Sequence, residues 1–304
     1  MKLAMHMQAE KYLLTGASGF LGRHIDNYLS EAYKVVTIGR SSDSDVICDL
    51  SNSTPKIEGM FDMVIHSAGK AHVIPKTKVE INQFYNVNFI GTQNLCKSLE
   101  KIKIKTFVFI STIAVYGVEE GVEISELHNL QGSSPYAKSK IQAELFLQKW
   151  CDENEVKLVI LRLPLVAGKN SKGNLGAMIK GIKKGYYFNI ANNKALKSIV
   201  LADDIAKLIP TLSEKNGIYN LSGDKDYSFS QISEIISEQL GGRRILTLPY
   251  FFVKIISFIG AVFPFFPLNN EKLKKMMSNL TVSSKKAVKE LNWQPNKLIE
   301  NFKI

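Results

Sequence analysis

Apolar positions in the first half of the chain fall into short runs that alternate with polar and amphipathic stretches. Five runs of four or five residues are typical of buried strands, at residues 11–15, 34–38, 45–48, 62–66 and 106–110. Longer stretches with helical spacing lie among them, the clearest at 81–99 and around 136–140. The pattern predicts strands that alternate with helices, the order typical of an α/β fold.

The second half of the chain is less regular. A helix is predicted to begin at Gly173, and residues 194–205 are expected to return to the sheet formed by the first strands. Residues 228–240 predict an amphipathic helix closed by a glycine pair. Residues 284–291 predict the final helix, with Ser283 as its N-cap.

A glycine-rich turn follows the first strand directly. Gly16, Gly19 and Gly22 stand three residues apart, immediately before an amphipathic run. Without a Cβ, a glycine lets the backbone approach a pyrophosphate, which then meets the free N–H groups and the positive end of the helix. The turn therefore predicts a dinucleotide cradle.

The end of the second strand bears on the choice of cofactor. In the dinucleotide fold an acidic residue here binds the adenine ribose of NAD, but this chain has Gly39 followed by Arg40. A guanidinium beside the ribose favours a 2′-phosphate, so NADP(H) is preferred and NAD(H) stays the alternative. Asp49 and Leu50, after the third strand, are expected near the adenine.

Small residues follow the fourth strand, where Ser67, Ala68 and Gly69 let the backbone pass under the cofactor. His66 and His72 flank this segment, and we interpret both as structural.

Tyr136 and Lys140 carry the most visible chemistry. Residues four apart on a helix share one face, so the ammonium is expected to lie near the phenol and to lower its pKa from about 10 towards neutrality. That would make Tyr136 a proton-transfer group. Thr112, at the end of the fifth strand, could bind the same substrate oxygen.

These motifs together resemble an extended short-chain dehydrogenase/reductase of the NAD-dependent epimerase/dehydratase family. The resemblance rests on TGASGFLG, NFIGTQNL, ISTIAVYG, YAKSK and LRLPLVAG, and it covers nearly the whole chain. It implies a doubly wound parallel sheet of the Rossmann type with a smaller C-terminal substrate domain. The expected bounds are 1–168 with 194–228 for the cofactor domain, and 169–193 with 229–304 for the substrate domain.

The resemblance also implies the site residues and an assembly. The catalytic group would be Thr112, Tyr136 and Lys140. The cofactor would contact Gly16, Ser18, Gly19, Phe20, Leu21, Gly22, Arg40, Asp49, Leu50, Ser67, Ala68, Gly69, Asn88, Ser111, Tyr136, Lys140 and Pro164. The substrate, a UDP-sugar, would contact Lys70, Thr112, Asn174 and Lys197. A homodimer would form through the helix after Ile81 and the helix that carries Tyr136.

Departures from the family pattern narrow the activity. In the 4,6-dehydratases an acid and a base follow the threonine of the Ser-Thr pair, whereas this chain has Ile113 and Ala114, which move no protons. Dehydration is therefore not expected. An Arg of the family, which would contact the nucleotide, is replaced here by Lys197.

Three functions stay open. The first is NADPH-dependent reduction at carbon 4 of a UDP-4-keto-6-deoxy-N-acetylhexosamine for surface polysaccharide synthesis. The second is a nucleotide-sugar 4-epimerase that retains its cofactor. The third, of another class, is a non-catalytic NADP(H)-sensing protein, which the intact Thr112, Tyr136 and Lys140 disfavour.

Residues 248–268 form a long apolar stretch with Lys254 as its single charge. Pro264 and Pro267 would interrupt a helix, leaving residues 250–262, which favours a buried or half-exposed helix over a membrane span. A peripheral membrane contact stays open, although a core or subunit contact is preferred.

Composition sets the remaining bounds. The 304 residues carry a net charge of +11, but the basic residues are scattered, which favours a solvated surface over a nucleic-acid face. The three cysteines are far apart and predict buried thiols in a cytoplasmic protein, with no metal site. No long apolar run precedes the first strand, so we expect no signal peptide.

Overall fold

The computed structural model describes residues 10–262 and 270–304, with side chains at 259–262 left out. The strands are β1 Lys11–Thr15, β2 Lys34–Gly39, β3 Val46–Ile47, β4 Phe61–His66, β5 Ile104–Thr112, β6 Gly121–Ile124, β7 Lys157–Leu163, β8 Leu165–Ala167, β9 Phe188–Ile190, β10 Leu196–Lys197, β11 Ile199–Leu201, β12 Gly217–Asn220, β13 Tyr227–Ser228, β14 Leu246–Leu248 and β15 Leu280–Val282.

The helices are α1 Phe20–Leu29, α2 Lys78–Tyr85, α3 Gly91–Leu99, α4 Pro135–Glu153, α5 Gly173–Lys184, α6 Ala202–Leu208, α7 Phe229–Gln239, α8 Tyr250–Val262, α9 Asn270–Met277, α10 Lys285–Leu291 and α11 Leu298–Asn301. A π-helical segment, Asn86–Ile90, joins α2 to α3, and 3₁₀ turns lie at Ile113–Tyr116 and Ile209–Leu212.

The chain divides into two compact units. The first holds residues 1–115, 132–162 and 202–219, and the second holds 116–131, 163–201 and 220–304. These bounds differ from the expected domains in that 116–131, 163–168, 194–201 and 220–228 fall in the second unit.

A seven-stranded sheet with the order β12-β7-β5-β4-β1-β2-β3 forms the centre of the first unit. The pairs β1–β2, β1–β4, β4–β5 and β2–β3 are parallel, so the carboxyl ends of these strands share one edge. β1 is flanked by β2 on one side and β4 on the other, so the strand order reverses there. Ligands bind at such a switch point in open α/β sheets. The expected doubly wound parallel sheet is confirmed.

Apolar side chains of the strands and of α3 and α4 pack into one core in this unit. Leu13, Val64, Phe107, Leu147 and Ile160 are fully buried members of it. β4 and β5 are apolar on both faces, as strands covered on both sides must be.

The second unit is built from shorter elements. A four-stranded sheet has the order β13-β10-β15-β6, and two parallel pairs, β11–β8 and β14–β9, lie beside it in the same unit. One core lies among α5, α7 and α11, with Met178 and Ile236 buried. A smaller core contains Ile190, Val253 and Leu273.

The expectation that residues 194–205 return to the first sheet is wrong. β10 pairs with β13 and β15, and β11 pairs with β8. Polar anchors explain the difference, since the Ser198 hydroxyl donates to Asp226 and accepts from the N–H of Val282, both in the second unit. β12 supplies the edge strand of the first sheet instead.

Of two further predicted elements, one is confirmed and the other is shorter than expected. α7 is confirmed, and Ser228 with Gln231 forms a capping box at its start. The expected third strand shortens to β3, because the Asp45 carboxylate accepts hydrogen bonds from the N–H and hydroxyl of Thr37.

The C-terminal helices also depart from expectation. α10 begins one residue after Ser284, which is its N-cap, and α11 follows it as a later helix. The Ser283 hydroxyl accepts from the N–H of Lys285 without being the cap residue. α8 has the expected bounds, whereas Pro264 and Pro267 lie outside the described residues.

Candidate active site

In the turn between β1 and α1, backbone segments pack so closely that two positions have no room for a side chain. Gly16 has φ +77°, and a Cβ there would lie 2.6 Å from the backbone N of Ala68. A Cβ on Gly22 would lie 1.9 Å from the carbonyl oxygen of Gly16. Both positions therefore exclude any side chain.

Gly19 is the N-cap of α1 and adopts an extended conformation, with no side chain capping the helix. Phe20, Leu21 and Gly22 form its first turn, whose N–H groups point along the helix axis. Ser18 is held through its carbonyl, which accepts from Arg23 Nε at 3.0 Å. An uncapped helix start behind a glycine turn fits the diphosphate of a dinucleotide.

The end of β2 carries no carboxylate that could bind a ribose. Gly39 ends the strand and Arg40 is exposed. The nearby Asp45 carboxylate is bound to Thr37, and those hydrogen bonds lower its pKa. Asp49 accepts from both the N–H and the hydroxyl of Ser51, and Asn94 Nδ2 donates to the carbonyl of Leu50 at 2.7 Å.

A buried chain of hydrogen bonds runs beneath the loop after β4. His66 is fully buried, with Nδ1 2.6 Å from Thr15 Oγ1 and Nε2 2.9 Å from Thr92 Oγ1. Thr92 donates its own proton to the carbonyl of Asn88. It must therefore accept from His66, which places the ring proton on Nε2 and makes Thr15 the donor to Nδ1.

Burial lowers the pKa of His66 to about 3, and the charge of Lys140 acts in the same direction. The ring is thus neutral and links β1 to α3 through its two hydrogen bonds, as expected for a structural histidine. Ala68 N–H donates to Thr15 Oγ1, which connects the loop after β4 to the same hydrogen-bonded chain. His72 lies exposed with φ +60°.

Asn88 lies in the π-helical segment and is buried. Its Oδ1 accepts from Lys70 N–H at 2.7 Å, while its Nδ2 donates to the Lys70 carbonyl and to Ser139 Oγ. One amide therefore fastens the loop Ser67–Lys70 to α4. The extra residue of a π turn is a common way to re-aim such a side chain. The Lys70 ammonium donates to Gln83.

α4 positions the predicted catalytic pair. Ser134 caps its start by accepting from Ala137 N–H, and Pro135 occupies its first turn. Tyr136 and Lys140 follow one turn apart, as the sequence predicts. Lys140 is buried, donates to the Ile110 carbonyl at 2.6 Å and lies over the Phe109 ring at 3.8 Å.

The pKa of Tyr136 departs from expectation. Burial raises it above its ordinary value, and a hydrogen bond with Thr112 lowers it only in part. Lys140 does not counteract the burial, since its ammonium is held by the Ile110 carbonyl and burial lowers its own pKa to about 7. The expected lowering of the Tyr136 pKa by Lys140 is therefore wrong, and the phenol keeps its proton at neutral pH.

A buried ion pair lies one turn further along α4. Glu144 is fully buried and is bound by the Arg162 guanidinium, with Nη2 to Oε2 at 2.6 Å. The same carboxylate accepts from the Ser111 hydroxyl and raises the pKa of Lys140 against the effect of burial. Tyr136, Lys140 and Glu144 thus occupy one face of α4.

Three further predicted residues belong to the second unit. Pro164 links β7 to β8, and Asn174 lies exposed in the first turn of α5. Lys197 is buried, and its ammonium donates to the carbonyls of Lys275 and Ser278. Lys197 therefore binds the C-terminal end of α9 and the residue that follows it, and its substrate contact stays a prediction.

A model of the family described as NAD dependent epimerase/dehydratase matches residues 12–222. The chain belongs to the NAD-dependent epimerase/dehydratase family. The match covers more than half of the chain, including the glycine turn and the residues of α4. The protein is therefore an enzyme of the extended short-chain dehydrogenase/reductase type.

Curated relatives and solved structures agree with this family. The chain is 26% identical over 262 residues to N-acetyl-alpha-D-glucosaminyl-diphospho-ditrans,octacis-undecaprenol 4-epimerase of Escherichia coli O157:H7, covering 79% of this chain and 76% of the relative. It is 26% identical over 250 residues to UDP-glucose 4-epimerase of Vibrio cholerae, covering 72% and 73%. UDP-glucuronic acid 4-epimerase of Bacillus cereus, solved with UDP-glucuronic acid and NAD, has a similar fold, with TM-score 0.73, 20% identity and 96% of both chains covered.

The residues of the first unit fit an NAD(P) cofactor. The uncapped start of α1 would hold its diphosphate, and the loop Ser67–Gly69, fixed by Asn88, would run along it. When bound, the cofactor supplies or accepts a hydride. Tyr136 would then hold or move the proton of the substrate oxygen, Thr112 would orient that oxygen, and Lys140 is kept in place by the Ile110 carbonyl.

Sequence reasoning missed part of this site. Glu144 and its partner Arg162 went unnoticed as a buried pair, although Glu144 stands four residues after Lys140 and on the same helix face. Neither the contact of Ser139 with Asn88 nor that of Thr92 with His66 could be predicted, because only the folded chain brings these residues together.

Proposed function

We propose that the enzyme reduces the carbon 4 ketone of a UDP-linked 4-keto-6-deoxy-N-acetylhexosamine, with NADPH as the hydride donor. One observation supports this direction of reaction above all. Tyr136 is a half-buried phenol on α4, next to the Thr112 hydroxyl, and desolvation raises its pKa. A protonated phenol beside a hydroxyl that can bind the same oxygen is placed to donate its proton to a carbonyl oxygen as the hydride arrives at the carbon.

The roles of the residues follow from this chemistry. Thr112 orients the ketone oxygen, and Tyr136 protonates it. Lys140 positions the nicotinamide ribose, and Asn88 fixes the loop along the cofactor. Lys70 and Asn174 are the proposed contacts of the UDP-sugar. Dehydration is not part of the proposed reaction, because the residues after Thr112, Ile113 and Ala114, have no group that transfers protons.

Preference for NADP(H) is part of the proposal. A carboxylate at the end of β2 would repel a 2′-phosphate, and Gly39 stands there instead. Arg40, next to it and exposed, supplies a charge that attracts this phosphate. A reductase exchanges its cofactor at each turnover, and NADPH is the usual reductant.

A 4-epimerase that retains its cofactor is the second candidate. The relatives favour it, since those of Escherichia coli and Vibrio cholerae are both named 4-epimerases. The same Tyr136 and Thr112 would serve, with oxidation preceding reduction. The name of the Escherichia coli relative describes a sugar that is carried on a lipid diphosphate, undecaprenol diphosphate, in place of UDP.

Near-ultraviolet absorbance of NADPH separates the two candidates. The purified protein is given UDP-N-acetylglucosamine that a 4,6-dehydratase has converted to its keto form, with NADH and untreated sugar as controls. Consumption of NADPH with the keto sugar alone supports the reductase. No consumption, together with interconversion of unmodified UDP-sugars at carbon 4, would contradict it in favour of the epimerase.

The proposal includes a homodimer through α4 and the helical stretch α2–α3. Leu145 on α4 is exposed, as an interface residue would be in a single chain. Sedimentation equilibrium tests the dimer. NADPH and UDP-sugars are cytoplasmic metabolites, so the proposed enzyme works in the cytoplasm, where it supplies surface polysaccharide synthesis.

A further inference from the structure

Helix α8 is apolar on both of its faces. The inner face packs in the smaller core of the second unit, where Val253 is fully buried beside Leu273 of α9. Ser257, one turn later, is also buried, and its hydroxyl donates to Asn270 Oδ1 at 2.7 Å. α8 is thus anchored to α9 through one stripe of residues.

The outer face of α8 is aromatic and lies open. Phe251, Phe252 and Phe258 are 67%, 57% and 66% exposed, and Ile255 between them is 43% exposed. Positions 251, 255 and 258 share one side of a helix. Single exposed apolar side chains are ordinary, but a contiguous patch of this kind marks an interaction surface.

Charge near the patch favours one kind of partner. Residues 241–277 contain six basic residues, Arg243, Arg244, Lys254, Lys272, Lys274 and Lys275, and one acidic residue, Glu271. Lys275 is paired with Glu271 and Glu119, so the positive charge of the segment rests mainly on the other five. Two copies of this patch would bring like charges together, which opposes self-association. An anionic bilayer surface instead attracts the lysines and arginines and accepts the aromatic rings.

We propose that α8 docks the enzyme on an anionic membrane surface, with the Phe251, Phe252, Ile255 and Phe258 side chains inserted between the lipid headgroups. The helix lies in the plane of the surface. Its 13 residues span about 20 Å, short of the ~30 Å hydrocarbon core. Among the described residues, no helix is long and apolar enough to cross a bilayer. The proposal does not depend on the reaction proposed above.

Co-sedimentation of the full chain with vesicles tests the docking. Vesicles of phosphatidylglycerol and phosphatidylethanolamine should pellet the protein, and neutral phosphatidylcholine vesicles should pellet at least severalfold less. The double variant Phe251→Ser/Phe258→Ser should lose about a hundredfold in binding, because each buried ring contributes about a factor of ten. Val288→Ser/Ile299→Ser removes two other exposed apolar side chains of the second unit and should bind as the parent protein does.

Fluorescence gives a second test that does not rely on weakening the protein. Trp150 and Trp293 are buried, so the reporter Phe258→Trp would dominate any change at the surface. Its emission should move to shorter wavelength on addition of the anionic vesicles. The proposal would be overturned if the emission did not shift, or if the two double variants pelleted equally with the vesicles. It would also be overturned if Phe251→Ser/Phe258→Ser bound vesicles as the parent does but no longer self-associated.

Discussion

Tyr136 and Lys140 stand four residues apart on α4, and burial moves their pKa values in opposite directions. Burial removes water from both charged forms, the phenolate and the ammonium, and so disfavours each of them. The pKa of Tyr136 therefore rises, and the pKa of Lys140 falls. The effect of burial outweighs the attraction that their spacing predicts. Sequence spacing identified the pair on one helix face, but the sign of the Tyr136 shift depends on packing that no spacing reveals.

Replacing Tyr136 by Phe tests the proton donor directly. The Tyr136→Phe variant keeps the ring contact with Phe84 but has no proton to give, so kcat should fall at least about a hundredfold. Cofactor affinity, measured by titration calorimetry, should be unchanged. An undiminished kcat in this variant would remove Tyr136 from the mechanism.

The Lys140 pKa gives a stability prediction with a definite sign. Its folded pKa of about 7 lies below the ordinary 10.5, so the unfolded chain binds the extra proton between these values. The destabilisation by Lys140 is complete below about pH 7 and disappears as pH rises towards 10.5. Lys140→Met should therefore stabilise the protein more at pH 6.5 than at pH 9.5, relative to the parent.

Urea unfolding of both proteins at the two pH values measures this difference. Any change in packing between the lysine and methionine side chains affects the free energy of unfolding equally at both pH values, so it cancels in the comparison. The same relative stability at pH 6.5 and pH 9.5 would contradict the lowered pKa.

At the scale of elements, β7 and α4 are joined by the buried pair of Arg162 and Glu144. Glu144→Gln neutralises the buried carboxylate that the Arg162 guanidinium binds at 2.6 Å, which should cost about 3–5 kcal/mol of unfolding free energy. Glu144→Gln/Arg162→Met removes both charges and should recover much of that loss. Denaturant unfolding of the single and double variants measures the coupling, and strictly additive losses would contradict a buried pair.

The β1–α1 turn offers a prediction for its glycines. A Cβ on Gly22 would lie 1.9 Å from the Gly16 carbonyl oxygen, so Gly22→Ala must displace backbone, at a cost of about 1–3 kcal/mol. At Gly19 the added Cβ would lie 3.1 Å from the same oxygen and φ is −73°, so Gly19→Ala is the matched control. Thermal unfolding should show a much larger loss for Gly22→Ala, and equal losses would contradict the close approach.

Elements with strong local signals were predictable from the sequence. β1, β2, β4 and β5, the glycine turn and α8 follow from apolar runs, glycine spacing and proline positions. The π segment around Asn88 was not, because it depends on the bonds to Lys70 and Ser139 across the fold. The strand pairing of 196–201 was also missed, since two- and three-residue strands carry no periodicity of their own.

At the scale of the whole molecule, the family and the parallel sheet follow from ordered motifs, whereas the place of residues 116–131 does not. Residues 116–131 join the second unit through β6, which pairs with β15 more than a hundred residues later. Long-range pairing of this kind leaves no mark on local sequence. The proposed catalytic residues all lie in the first unit, whereas Asn174 and Lys197 lie in the second.

In the proposed reduction, a hydride from free NADPH reaches carbon 4 of a sugar ketone. NADPH deuterated at the transferred position, incubated with the enzyme and the UDP-4-keto sugar, tests it when the product is examined by NMR. Deuterium is expected at carbon 4 of the product, one for each NADP⁺ formed. A sugar product without deuterium at carbon 4, formed without consumption of added NADPH, would contradict it.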